Sequence, residues 1–165
     1  MTKNKNMKFP DAEAFEYALS YLDSIDVTIR DIAEIAKWNQ EKYTNTPIEV
    51  YEDAVIRTLH RHVILNALMT MAFLDEAAEK GLMPEPLLSI VKNDIGLFGV
   101  DEAIAIGGAQ IGDTLGVTNY SYNDKVKPLK IGELDREQEK VTTFADDIIG
   151  MIASVSIARS VHKEG

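Results

Sequence analysis

The apolar and polar positions along this chain alternate with a helical period almost throughout. Pro10-Asp11-Ala12-Glu13 has the form of a helix start, with proline early and acids in the first turn. Phe15, Ala18, Leu19 and Leu22 then form an apolar stripe. Thr28-Ile29-Arg30-Asp31 fits a variant capping box, with Ile29, Ile32, Ala33 and Ala36 at helical spacing behind it. Thr46-Pro47 opens a third helical stretch toward Lys80, stopped by Gly81 and Pro84 and long enough for a break to be expected. Between Val63 and Leu74 it is apolar on nearly every face, which marks a central, surrounded helix. A short helix over 86–93, a turn over 96–99, a helix over 101–115 and a last helix from Thr142 to His162 complete the pattern. Val117 to Gln138, with Asn119, Asn123, Pro128 and Gly132, reads as the one long non-helical stretch, and such loops in compact domains are often functional. The expected fold is all-α: a single-domain helical bundle over residues 1–165, with a central helix surrounded by about five others.

Composition narrows the chemistry. A chain of 165 residues with 45% hydrophobic content has the size and apolar content of one domain. It has no cysteine, so disulfides and thiolate metal sites are excluded. A metal would rest on Asp, Glu, Asn or the three histidines, and an oxygen-rich set favours a hard cation such as Mg²⁺. The net charge of -10 argues against a nucleic-acid partner, which needs a basic face. Residues 1–6 lack an apolar stretch, and no run approaches the ~20 apolar residues of a spanning helix. The expectation is a cytoplasmic protein, at most peripheral at the inner membrane surface, whose apolar faces leave room for a homo-oligomer.

The chemistry concentrates in the second half: Asp101-Glu102, then Asp124-Lys125-Val126-Lys127-Pro128, then Asp146-Asp147. Two like charges ~4 Å apart repel by roughly 4 kcal/mol at an effective dielectric near 20. A divalent cation between them removes that cost. Positions 101, 105, 108 and 112 share one helix face, and 147, 150, 154 and 158 share another; apart from the acids, all are Gly, Ala or Ser. Glycine inside a helix costs roughly 1 kcal/mol against alanine, so these faces are expected to press together and bring Asp101 and Asp147 to one end. Taken singly, each acid reads first as an ordinary N-cap or first-turn residue, and the lysine-rich segment as a solvated loop; it is the three groups together that point to a metal site.

Taken together, the three motifs resemble those of the phosphatidylglycerophosphatase A family: a D-E pair opening a helix, a D-x-x-K-P loop, and a D-D-[IV]-x-x-G helix. Here Gly150 stands one place early, with Met151 in the usual glycine position. The whole chain further resembles the soluble branch of that family, the low-temperature-requirement C and YutG-like proteins. The resemblance implies a Mg²⁺-dependent phosphatase acting on phosphatidylglycerophosphate, an anionic phosphomonoester with a lipid head group, in phosphatidylglycerol synthesis. It implies metal ligation by Asp101, Glu102, Asp124, Asp146 and Asp147, with Lys127 facing phosphate. Lys125 is a second candidate there, and Asp101, Glu102 and Asp147 are the candidate catalytic groups. The Pro-Gly-Thr-rich segment of the membrane-embedded members is absent, and Glu139 to Phe144 replaces their glycine-rich approach to the Asp pair.

Other readings stand beside this one: a phosphatase of a soluble phosphomonoester, or a non-catalytic helical binding or regulatory protein that retains the acidic site. Val27 to Ala36 resembles the first helix of helix-turn-helix repressors. The expected turn glycine is missing, however, and Glu49, Glu52 and Asp53 would repel a phosphate backbone. Arg57, His60, Arg61 and His62 form a cationic cluster; the two histidines, two apart, do not share a helix face.

Overall fold

The computed structural model describes residues 3, 4 and 6–161. His162 lies outside them. Among the described residues there are nine α-helices, a 3-10 turn and no strand. The helices are α1 (Asp11–Ser24), α2 (Ile29–Gln40), α3 (Ile48–Leu59), α4 (His62–Glu79), α5 (Leu87–Lys92), α6 (Val100–Ala109), α7 (Asp113–Val126), α8 (Leu129–Asp135) and α9 (Ala145–Val161). The 3-10 turn, Gln110–Gly112, joins α6 to α7.

The central helix is α9, not the Val63–Leu74 stretch. From Ala145 to Ser160 every α9 residue is buried except the half-buried Arg159. Helices α2, α3, α4, α6, α7 and α8 all pack against it. Its Gly, Ala and Ser positions let neighbours approach from all sides, which a helix of large aliphatic residues resists. Helix α4 instead has an outward face at Val63, Asn66, Thr70 and Phe73, all exposed. Two of those four are apolar, which hid the amphipathic period in the sequence.

The long third stretch breaks at His60–Arg61, where Arg61 turns to extended backbone (ψ 124°). The imidazoles there pack on α1 and its approach: His60 stacks on Phe15, and His62 stacks on Phe9 and bonds Asp11 Oδ1 at 2.6 Å. The capping box at Thr28 forms, with Thr28 and Asp31 exchanging bonds.

Val117–Gln138 is not a loop. It holds most of α7 and all of α8, joined at Lys127-Pro128. Helix α7 is poor in strong helix formers, but it sets Gly116, Tyr120 and Asn123 on one buried face. Tertiary burial outweighs local propensity here. A Cβ at Gly116 would lie 2.3 Å from the carbonyl oxygen of Ala109, so only glycine permits the α6–α7 approach.

The small-residue faces meet with a rotation relative to the expected pairing. Gly108 and Gly112 of the α6 segment do press on α9: Gly112 meets Ala158, as expected, and also Val155, whereas Gly108 meets Met151. A Cβ at Gly108 would sit 2.2 Å from Met151 Sδ, so the methionine that replaces the family's usual glycine fills the space that Gly108 leaves. The 147/150/154 face turns to α7 and α8: Gly150 meets Tyr120 and Ile131, and Ser154 accepts from Asn123 Nδ2 at 3.2 Å.

Candidate active site

The site forms where the first turns of α6 and α9 meet the α7–α8 turn. Its centre is Lys127. This residue ends α7 in the left-handed region (φ 50°, ψ 55°), and Leu129 two places on has φ 49°. Left-handed backbone costs a residue with a Cβ roughly 1 kcal/mol or more, so this turn is held by its surroundings. A Cβ at Gly132 would lie 2.4 Å from the Lys127 carbonyl oxygen, so α8 is seated directly against it. The Lys127 ammonium lies 2.6 Å from Asp146 Oδ2, 2.8 Å from Asp124 Oδ1 and 3.6 Å from Asp135 Oδ1. Burial alone would lower its pKa, but Asp146 and Asp124 outweigh that and hold it above the ordinary lysine value.

The acids around it are perturbed by the same burial. Asp146 is raised to about 6 by desolvation, against the pull of Lys127. Asp147 accepts a hydrogen bond from Tyr120 Oη; desolvation and then the Asp146 charge raise it to about 8. Asp101 is raised to about 7 by desolvation and by Glu102, while Asp101 in turn lowers Glu102. The Asp101 charge also bears on Asp147, the last of the influences that raise it. Asp101 Oδ1 and Glu102 Oε2 are buried without a hydrogen-bond partner. Lys125 is not part of this arrangement: it is exposed on α7 and makes no ion pair among the described residues.

Asp135, Asp94, Asn123 and Asp75 were not singled out as site residues from sequence, whereas Tyr120, beside the 124–128 motif, was a candidate either to line a head-group site or to pack. Asp135 reaches Lys127 from α8, and Asp94, from the turn after α5, is close enough to feel Lys127, Asp135 and Glu102. Tyr120 holds Asp147, and Asn123 sits in a buried relay, accepting from Asn39 Nδ2 at 2.8 Å and donating to Ser154. Asp75 of α4 accepts from the Phe144 amide with both oxygens at 3.1 Å and so caps the approach to the Asp146-Asp147 turn. Burial raises Asp75 to about 8, against that hydrogen bond. Reading 113–126 as a helix would have found part of this set, since 116, 120, 123 and 127 then lie on one face.

The donor chemistry fits a hard divalent cation. All the groups are carboxylates, and two buried oxygens have no partner. Among the described residues no group of three acidic or imidazole side chains is arranged to hold a metal ion by itself. In this arrangement the Lys127 ammonium supplies the compensating charge.

Comparison with known proteins gives the family. The sequence profile of Phosphatidylglycerophosphatase A matches residues 20–162. The chain belongs to the phosphatidylglycerophosphatase A family. It is 36% identical over 156 residues to the uncharacterized protein YpjQ of Bacillus subtilis (strain 168), covering 94% of this chain and 88% of YpjQ. It is 35% identical over 165 residues to the uncharacterized protein YutG of the same organism, covering 97% and 96%. The crystal structure of the low temperature requirement C protein from Listeria monocytogenes superposes with a TM-score of 0.89 at 36% identity, covering 93% of this chain and 98% of that one. As expected from the sequence, no described helix is long and apolar enough to cross a membrane.

Proposed function

We propose that this protein is a Mg²⁺-dependent phosphomonoester hydrolase of the phosphatidylglycerophosphatase type, acting in phosphatidylglycerol synthesis. The observation that carries the reading is a half-buried lysine ringed by three carboxylates, beside two buried carboxylate oxygens with no partner; all but Asp135 stand on the three family motifs. Asp101, Glu102, Asp124, Asp146 and Asp147 would hold the cation. Bound there, Mg²⁺ would neutralise charge on the phosphoryl oxygens.

The chain's own groups do the rest. Lys127 would pair with a phosphate oxygen of the substrate. Water attacks phosphorus, the phosphorus–ester oxygen bond breaks, and inorganic phosphate and the alcohol leave. A carboxylate from Asp101, Glu102 or Asp147 takes the proton of the attacking water. Tyr120 holds Asp147 in place for this.

The test is phosphate release from phosphatidylglycerophosphate in mixed micelles, with Mg²⁺ or chelator, by wild type and Asp147→Ala. Mg²⁺-dependent release that the variant loses supports the reading. A folded wild type releasing phosphate from neither this lipid nor glycerol 3-phosphate refutes it. One observation favours a second reading: Lys127 already satisfies Asp124 and Asp146. A non-catalytic regulator retaining the acidic site would bind Mg²⁺, seen by calorimetry, without turnover.

A further inference from the structure

The acidic site is bordered by side chains that the fold has no use for. Leu97, in the turn before α6, is 97% exposed. Ile95 and Val100 of the same segment, and Val126 and Leu129 on either side of Lys127, are each 43–47% exposed. Both segments border the site: Asp94 and Glu102, which flank the first, are close enough to feel the Lys127 charge, and Lys127, between Val126 and Leu129, bonds Asp146. Apolar groups clustered at a site mouth mark an interaction surface, unlike the same groups scattered singly.

We propose that Ile95, Leu97, Val100, Val126 and Leu129 form a rim that inserts into a lipid surface and brings a membrane-borne head group onto the acidic site. This rests on the lipid-phosphatase reading above for its purpose, though not for its physics. A second copy of the chain is a poor occupant. Rim-to-rim pairing would set two identical acid clusters against each other, in a protein already at net charge -10. A bilayer accepts aliphatic side chains at its interface and presents no such cluster. No described helix is long and apolar enough to cross a membrane.

The charge gives the surface a distinctive signature. Binding driven by lysines weakens as salt rises; apolar insertion by an acidic protein into an anionic surface strengthens, because salt screens the repulsion. The experiment is flotation with vesicles of phosphatidylcholine and phosphatidylglycerol, free of any phosphomonoester lipid and in the presence of chelator. Wild type is expected to float, more at high salt than at low. Leu97→Ser with Val126→Ser should cut the bound fraction by roughly tenfold, whereas Tyr43→Ser, an exposed aromatic on the α2–α3 turn, should not. Leu97→Trp in a Trp38→Phe background should show a blue-shifted emission on adding vesicles.

No flotation of wild type, binding that falls with salt, an unshifted Trp, or equal binding by the rim variant would each overturn the proposal. So would a dimer in sedimentation that Leu97→Ser dissolves. Because the vesicles carry no phosphomonoester, a wild type that floats yet releases no phosphate in the micelle assay would refute the phosphatase reading and leave the rim standing.

Discussion

Replacing Lys127 by methionine keeps the length of the side chain and removes the charge that Asp146, Asp124 and Asp135 share. At 2.6 Å and an effective dielectric near 20, the Lys127–Asp146 attraction alone is roughly 6 kcal/mol. Most of that is offset by the cost of taking both ions out of water. Breaking a fully buried pair costs about 3–5 kcal/mol. Lys127 retains about a quarter of its side-chain exposure while Asp146 is nearly enclosed, so we expect about 2–3 kcal/mol. For a chain of this size that lowers the melting temperature by roughly 5–10 °C. The loss should depend on pH. Without its lysine, Asp146 shifts further above its present value of about 6 and is protonated in mildly acidic buffer. The variant should therefore lose more stability at pH 8 than at pH 5.5. Urea denaturation at the two pH values, in chelator, measures this directly, and Lys127→Met with Asp146→Asn should be less damaged than Lys127→Met alone. A loss below about 0.5 kcal/mol at pH 8, as for an exposed pair, or one equal at both pH values, would show that Lys127 does not neutralise these acids.

Four further outcomes follow from the same geometry. Gly116→Ala should destabilise by about 1–3 kcal/mol despite alanine's better helix propensity, because its methyl meets a backbone oxygen, whereas Gly107→Ala, which meets nothing within 4 Å, should stabilise by up to about 1 kcal/mol; paired urea midpoints decide both. Asp75, Asp101 and Asp147 have folded pKa values of about 8, 7 and 8, all above the unfolded carboxylate value. Their protonated forms favour the folded state, so metal-free stability should fall from about pH 4 toward pH 8, and Mg²⁺ should reduce the fall in thermal melts. Asp75→Asn keeps an acceptor for the Phe144 amide and should flatten part of that decline, while Asp75→Ala should lower the melting temperature at every pH, as expected for a lost cap worth about 1 kcal/mol. Tyr120→Phe removes the bond to Asp147 and should lower phosphate release while leaving Mg²⁺ affinity within a few-fold, read by kinetics and calorimetry side by side.

How far the sequence carried this reading depends on the kind of signal each element uses. Helix α2 was legible down to its cap because Thr28 and Asp31 are local and the apolar period is strong. Asp101-Glu102 and Asp146-Asp147 stood out because paired acids beside apolar helix demand compensation, and Asp124 because its motif resembles that of the family. Helix α7 was not, because its determinant is Gly116 against Ala109, a contact made by the absence of a side chain. The central helix was misplaced for a related reason. Hydropathy rewards large aliphatics, as between Val63 and Leu74, whereas what lets a helix be surrounded is smallness, as at Gly150, Ala153 and Ser154 of α9. The same logic explains why Asp94, Asp135 and Asp75 were missed: each comes from a different helix or turn, and none stands at a spacing that points to the site. Sequence therefore identified the groups with charge to neutralise, while the fold determined what neutralises them. In this arrangement that is one lysine, held in left-handed backbone by the helix that follows it.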